Sequence, residues 1–314
     1  MNRARIDIVP PDLSAYRDGN TGAPYVMRFD GGKPGPHVVV VALIHGNEIC
    51  GAAALDHLLR GGLRPARGAL SFVFANAAAY AEFDASDPLV SRYIDEDLNR
   101  VWDKGILDGS GSSAELKRAR ELRPVFDSAD FLLDLHSMQS SSTPLILAGM
   151  TQKSLALARR VGSPALIVRD RGHQAGPRLR DYADFSEESK KPAALLIECG
   201  QHWEKASVDM AIAVTRRFLA ATGILEASEA ARILEMPTQQ QRVITVTEAV
   251  TSSSPDFRFL RDFHGLEIIP KAGTAIAKDG GRVITTPYDD CVLIMPSRHL
   301  APRQTAVRLG RYDD

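Results

Sequence analysis

Apolar positions along this chain fall into two patterns that divide it near residue 236. Residues 37–44 (HVVVVALI) form an unbroken, largely β-branched run, the signature of a strand buried on both faces of a parallel or mixed sheet. Residues 49–60 (ICGAAALDHLLR) follow at helical spacing and stop at Gly61-Gly62. The alternation continues with strands predicted at 69–75, 131–135, 145–148, 165–168 and 193–197, and helices at 115–126, 154–161 and 206–225. Strands alternating with helices predict a three-layer α/β domain with helices on both faces of the sheet. Past Met236-Pro237, residues 242–247 (RVITVT) set Ile244 and Val246 against Thr245 and Thr247, a half-buried strand, and short strands with Pro, Gly and Asp turns run to the end. The division expected is an α/β domain over residues 1–236, with peripheral strands and turns in 1–36, and a small all-β domain over 237–314. Residues 77–110 break the rhythm as a long polar loop running into a flexible DGSGS at 108–112, and loops of that length in a compact domain are functional or disordered.

Charge and cysteine usage narrow the functional classes. Against 38 Lys+Arg stand 39 Asp+Glu, a net charge of −1, so no overall field draws nucleic acid or an anionic membrane. The N-terminal stretch lacks the apolar core of a signal peptide, and no apolar run nears the ~20 residues that cross a bilayer. Cys50, Cys199 and Cys291 are widely spaced and odd in number, which predicts reduced, buried thiols in a cytoplasmic protein. The sequence leaves a homo-oligomer open.

Three of the predicted strands end in a residue able to bind metal or move a proton. His45 ends the first run with Glu48 on the turn into the helix, His136 ends FLLDLH, and Glu198 ends AALLIE. In open α/β sheets the ligand crevice lies at the carboxyl ends of the strands, so these residues are expected to converge. Two histidines and one carboxylate are a known catalytic zinc set with a position left open. An HxxE alone has a bland reading, a hydrogen-bonded histidine and a helix N-terminal acid favoured by the dipole; the company of His136 and Glu198 argues against it. Asp134, two before His136, suits a carboxylate that orients a ligand histidine, or simply a buried Asp with a partner. The polar loop carries Arg92, Asp97, Asn99 and Arg100, and arginine forks grip carboxylates, although a solvated loop with ordinary ion pairs fits the same composition. His202 falls close to the third strand end, and Trp102 and Trp203 suit pocket walls. His37, His57, His173, His264 and His299 form no further spaced set.

Four motifs in order, HGNE at 45–48, DLNR at 97–100, DLH at 134–136 and ECG at 198–200, resemble those of the succinylglutamate desuccinylase/aspartoacylase family, relatives of the zinc carboxypeptidases. The likeness extends to the tail, GTAIAKDGG followed by CVLIMPS and TAVRLG. It implies a carboxypeptidase-like mixed sheet with helices on both faces and a C-terminal β domain that narrows the entrance. It implies one zinc ion per chain on His45, Glu48 and His136, with Glu198 as general base. It implies Arg92 polarising the scissile carbonyl and Asn99 and Arg100 binding a substrate carboxylate. Some members use an arginine about ten residues before the catalytic Glu, where this chain has Glu188; Arg178 and Arg180 are the nearby substitutes, and Tyr288 a candidate pocket hydroxyl. The implied reaction is hydrolysis of the amide of a small N-acyl amino acid to a carboxylate and a free amino acid. The alternatives are a carboxypeptidase trimming peptides and a non-catalytic small-molecule binding module.

Overall fold

The computed structural model describes residues 5–172, 175–297 and 304–313; His173 and His299 lie outside them. The α/β part runs β1 (Val26–Asp30), β2 (His37–Ala42), α1 (Ile49–Arg60), β3 (Ala69–Phe74), α2 (Ala77–Ala81), α3 (Lys104–Leu107), α4 (Ala114–Asp127) and β4 (Phe131–Met138). It continues with β5 (Leu145–Leu147), α5 (Gln152–Val161), β6 (Leu166–Arg169), β7 (Ala193–Gln201), α6 (Lys205–Ala221) and α7 (Ala227–Glu235). The C-terminal region holds β8 (Arg242–Thr251), β9 (Arg258–Phe259), β10 (Glu267–Ile269), β11 (Ala275–Asp279), β12 (Arg282–Thr285), β13 (Cys291–Ile294) and β14 (Thr305–Tyr312).

The strands expected between residues 37 and 201 all form. At the centre, β3, β2, β4 and β7 lie parallel, so the ends of β2, β4 and β7 open on one edge. Val38 to Val41 of β2 are fully buried, because alternate side chains meet different layers. Val38, Val40, Leu133 and Leu195 pack under α1, α5 and α6. Val39, Val41, Leu132 and Ala194 face α4 and the segments around 98–107 and 179–185. Each buried valine contributes roughly 1.5–3 kcal/mol, so β2 anchors the residues that follow it.

The C-terminal region is built of strands that pair antiparallel with one another, but most of them share a sheet with the α/β part. β8 pairs parallel with β6, and β14, β13 and β10 extend the same sheet to eleven strands, leaving β12-β11-β9 as a separate three-stranded sheet. A half-buried pattern at 242–247 shows which side is apolar and nothing of which strand it joins. The helix expected over 206–225 ends at Ala221, and α7, which the sequence reading did not anticipate, follows. The buried Arg217 ties this corner together, donating from Nε to the Val161 carbonyl at 2.6 Å and from Nη1 to the Ile233 carbonyl at 2.9 Å. Residues 108–112, expected to be flexible, are pinned instead. Arg120 donates to the carbonyls of Leu107, Gly109 and Gly111 at 2.7, 2.6 and 2.7 Å.

The long polar loop is fastened from below by Glu115. This fully buried carboxylate accepts the backbone N–H groups of Ile94, Asp95 and Glu96 at 2.7, 3.0 and 3.2 Å, and the Asn76 amide at 3.0 Å. Burial alone pushes its pKa up; the N–H donors outweigh that and hold it below the ordinary value. A depressed folded pKa contributes stability that is present above the unfolded value and lost as pH falls through the folded one. Glu115→Gln replaces a charged acceptor by an amide whose NH₂ faces donors, which costs on the order of 1–3 kcal/mol. The variant is expected to melt lower than wild type at pH 7, to converge with it toward acid pH, and to exchange the amides of residues 94–96 faster. Equal melting temperatures at neutral pH show that Glu115 does not anchor the loop.

Candidate metal centre

Leu43, at φ 61°, turns the chain out of β2 and into the His45 turn, a left-handed conformation that non-glycine residues adopt at a cost and that tends to persist at functional sites. Gly46 lets this turn lie against its neighbours, since a Cβ there would come within 2.4 Å of the Ser91 carbonyl oxygen and 2.5 Å of Tyr80 N. Trp203 Nε1 donates to the Asn47 carbonyl at 3.1 Å and closes the other side. Glu48 then stands at the N-terminus of α1, where the helix dipole favours an anion.

The three expected ligands come together. His45, Glu48 and His136 are all buried, and one donor atom from each lies within 4.8 Å of the others. His45 Nδ1 is 2.8 Å from Glu48 Oε1, and His136 Nδ1 is 3.0 Å from Glu48 Oε2, with the rings edge to face at 5.0 Å. The opposite nitrogens face carboxylates: His45 Nε2 lies 2.9 Å from Asp97 Oδ1, and His136 Nε2 lies 2.9 Å from Asp134 Oδ2. An imidazole that donates Nε2–H to a carboxylate turns a bare Nδ1 inward, as a metal ligand requires. Asp97 therefore acts on His45, a role not assigned to it from the sequence.

The electrostatics of the cluster suit a cation. Burial pushes the Glu48 pKa up, yet the two imidazoles pull it well below the ordinary value. Burial pulls His136 down, while Asp134 and Glu48 raise it well above the ordinary value. These acids draw positive charge into the space between the Nδ1 atoms, and two imidazoles with a carboxylate suit a divalent ion there.

Glu198 lies beside this cluster. It is the direct register partner of His136 on the adjacent parallel strand, and the β4–β7 pairing becomes irregular immediately afterwards. It is buried, and its Oε2 has no hydrogen-bond partner among the described residues. Burial first, then the nearby Glu48, raises its pKa to about 8.

The loop residues surround the cluster. Arg92, its side chain 36% exposed, approaches Glu48 Oε1 at 3.2 Å and Asp97 Oδ2 at 3.3 Å, with Nη2 2.8 Å from His45 Nε2. Asn99 Nδ2 is 3.4 Å from His136 Nε2, and its Oδ1 accepts the Leu179 N–H at 2.8 Å. Arg100 donates to the Asn99 carbonyl at 2.7 Å and lies 3.6 Å from Asp97. Burial, with Arg92, Arg178 and Arg308 nearby, lowers its pKa to about 10 although Asp97 opposes the shift.

The other candidates are held by partners of their own. Arg178 pairs with Asp181 at 2.7 Å and Asp170 at 3.2 Å, and Arg180 pairs with Asp181. Tyr288 meets the Thr247 hydroxyl at 2.6 Å under the Arg311 guanidinium, and has no contact with the cluster among the described residues. His202, near the site, is buried with Nδ1 2.8 Å from Ser137 Oγ, and burial pulls its pKa down to about 4. His37 is a core histidine held by Ser71 and the Ser128 carbonyl. Trp102 packs edge-on against Phe126 and Tyr182 beneath the loop.

Buried imidazole and carboxylate donors at the ends of parallel strands make a candidate metal site in an α/β fold. Residues 34–221, well over half of the chain, match the succinylglutamate desuccinylase/aspartoacylase catalytic domain, and the chain belongs to that family. An N-acyl-aromatic-L-amino acid amidohydrolase (carboxylate-forming) of Xenopus laevis is 36% identical over 36% of this chain and 38% of its own length. A probable aspartoacylase of Parasynechococcus marenigrum is 32% identical over 52% of each. The matched segments thus span about half or less of these relatives. The succinylglutamate desuccinylase of Vibrio cholerae superposes with a TM-score of 0.64 over 93% of this chain and 88% of its own at 17% identity, a likeness of fold.

His45→Ala, Glu48→Ala and His136→Ala are each expected to lose the bound metal while keeping the fold, as elemental analysis and circular dichroism will report. Asp97→Asn is expected to retain all three ligands and bind metal 10- to 100-fold more weakly. Full occupancy in any alanine variant removes that residue from the ligand set.

Proposed function

We propose that this protein is a zinc-dependent deacylase that hydrolyses the amide of a small N-acyl amino acid to a carboxylate and a free amino acid. The observation that carries this reading is Glu198, a buried carboxylate with an oxygen that has no hydrogen-bond partner among the described residues, in register with His136 beside the His45–Glu48–His136 cluster. The family and the names of its relatives support the reaction class.

One zinc ion held by those three residues would supply Lewis acidity, polarising the amide carbonyl and making water easier to deprotonate. Glu198 Oε2 accepts the proton from the attacking water and returns it to the departing nitrogen. Its raised pKa leaves it basic enough to accept and acidic enough to deliver near neutral pH. Arg92, half open at the mouth of the cluster, directs its guanidinium at the oxygen where negative charge develops. Arg100 binds a substrate carboxylate, steadied by Asn99, whose carbonyl it already contacts. Crowding by other arginines supports an anionic partner for Arg100. Arg178 supports that positive potential from behind, Tyr288 is given no role, and the C-terminal strands narrow the approach to the site.

Purified protein loaded with zinc is expected to release free amine from a panel of N-acyl amino acids and to leave a decapeptide intact. Efficient trimming of the decapeptide favours a carboxypeptidase, and inertness toward every substrate with zinc bound favours a binding module. Glu198→Gln keeps shape and hydrogen bonding, so it is expected to retain zinc and lose roughly 10²- to 10⁴-fold in kcat. Near-normal turnover per bound zinc would mean that Glu198 is not the base. Arg100→Lys cannot reproduce the two-pronged contact, so kcat/KM is expected to fall about 10- to 150-fold on a carboxylate-bearing substrate. An unchanged value would sink its assignment.

A further inference from the structure

A side chain of β14 links the C-terminal strands to the catalytic loop. Arg308 lies opposite Ala249 of β8 and Ile294 of β13, and it is buried. Arginine is kept in such a place only where its charge is matched. Its Nε stands 2.9 Å from Oδ2 of Asp170, the buried residue that follows β6. The same oxygen lies 3.2 Å from Arg178 Nη1, and Arg178 Nε lies 2.7 Å from Asp181 Oδ2. One carboxylate of the α/β part is therefore shared between an arginine of the C-terminal region and an arginine beside the metal-site loop.

From Arg178 the contacts run on to the cluster. The next residue, Leu179, is fully buried and donates its N–H to Asn99 Oδ1 at 2.8 Å. Asn99 Nδ2 lies 3.4 Å from His136 Nε2, and the Asn99 carbonyl accepts from Arg100 Nη1 at 2.7 Å. Gly176, at φ 137°, brings the chain directly onto Arg100, since a Cβ there would come within 2.3 Å of the Arg100 carbonyl oxygen. Every link is an ion pair or hydrogen bond among buried or half-buried groups, and networks of that kind fix geometry in a low-dielectric setting. The electrostatics agree. Burial lowers the Arg308 pKa, while Asp170 and Glu198 oppose the fall, and Arg308 joins burial in lowering that of Arg100. Arg308 thus lies within electrostatic reach of both the proposed base and the proposed carboxylate clamp.

We propose that Arg308 is a positioning residue for the substrate carboxylate: through Asp170 and Arg178 it sets the Leu179–Asn99 contact, and so the place of the Arg100 guanidinium. The C-terminal strands then take part in holding the substrate as well as narrowing its approach. The inference rests on the deacylase reading for the role of Arg100, and its test pairs a kinetic cycle with amide exchange on the zinc-loaded protein. Arg308→Met leaves Asp170 with Arg178 and the Gly172 N–H as partners, so no buried acid is stranded. Its kcat/KM per bound zinc, on a carboxylate-bearing N-acyl amino acid, is expected to fall roughly 10- to 100-fold, the cost of a displaced binding group. In an Arg100→Lys background the same change is expected to cost less than about twofold, because the contact it positions is already broken. Arg308→Lys keeps a charge beside Asp170; it is expected to lose less in the first background and nothing more in the second, and it carries the cycle alone should Arg308→Met not fold. In both variants the Leu179 amide is expected to exchange faster while the amides of Val38 to Val41 stay protected. Equal losses in the two backgrounds are the mark of general damage and overturn the proposal, as does an unchanged kcat/KM or unchanged exchange at Leu179. Wild-type protein that releases amine from no substrate sinks the deacylase reading instead, and exchange at Leu179 then decides by itself whether Arg308 governs the Asn99 contact.

Discussion

The Glu48 carboxylate is the contact on which the site depends. Its two oxygens reach His45 Nδ1 at 2.8 Å and His136 Nδ1 at 3.0 Å, and Oε2 also accepts the Ser137 N–H at 3.0 Å. One buried anion thus joins the end of β2, the first residues of α1 and the end of β4. A buried carboxylate is tolerable only when its lone pairs are satisfied and its charge is matched; the Ser137 N–H and Arg92 do part of this for Glu48, and a cation shared with the two bare Nδ1 atoms would do the rest. The surrounding acids repeat the pattern one step out, with Asp97 behind His45 and Asp134 behind His136.

Around this centre the chain spends its arginines and acids in opposing layers. Glu115 holds the loop from beneath through three backbone N–H groups. The same loop delivers Arg92, Asp97, Asn99 and Arg100 to the cluster. On the far side, Asn99 Oδ1 accepts the Leu179 N–H, so the loop and the segment carrying Arg178 and Arg180 are held to each other through one amide. The site is therefore built on the rigid ends of β2, β4 and β7 and completed by two irregular segments with specific fastenings.

Much of this was legible in the sequence because strands buried on both faces leave continuous apolar runs, and the residue that breaks such a run stands at the sheet edge. HVVVVALI, FLLDL and AALLI located His45, His136 and Glu198 in that way. Three features were not legible because they depend on distant partners. Glu115 reads as an ordinary acid in the first turn of a helix; only the folded loop reveals three amides aimed at it. The pairing of β8 with β6 leaves no mark in a half-buried pattern. Arg178 and Arg180 sit beside each other in sequence on a loop, but their engagement with Asp170 and Asp181, and that of Arg308 with Asp170, is set by long-range packing. The break after Ala221 and the helix that follows were missed because Arg217, on α6 just before the break, donates to the end of α7 sixteen residues on, a contact that only the fold makes.

The proposed metal centre takes two imidazoles and one carboxylate and leaves out the thiols of Cys50 and Cys199, although both are buried within two residues of Glu48 and Glu198. X-ray absorption at the zinc edge of the loaded protein tests it directly. Ligation by His45, Glu48 and His136 gives a shell of nitrogen and oxygen at about 2.0–2.2 Å with two imidazole scattering signatures. A sulfur contribution near ~2.3 Å would place a cysteine on the metal and contradict it.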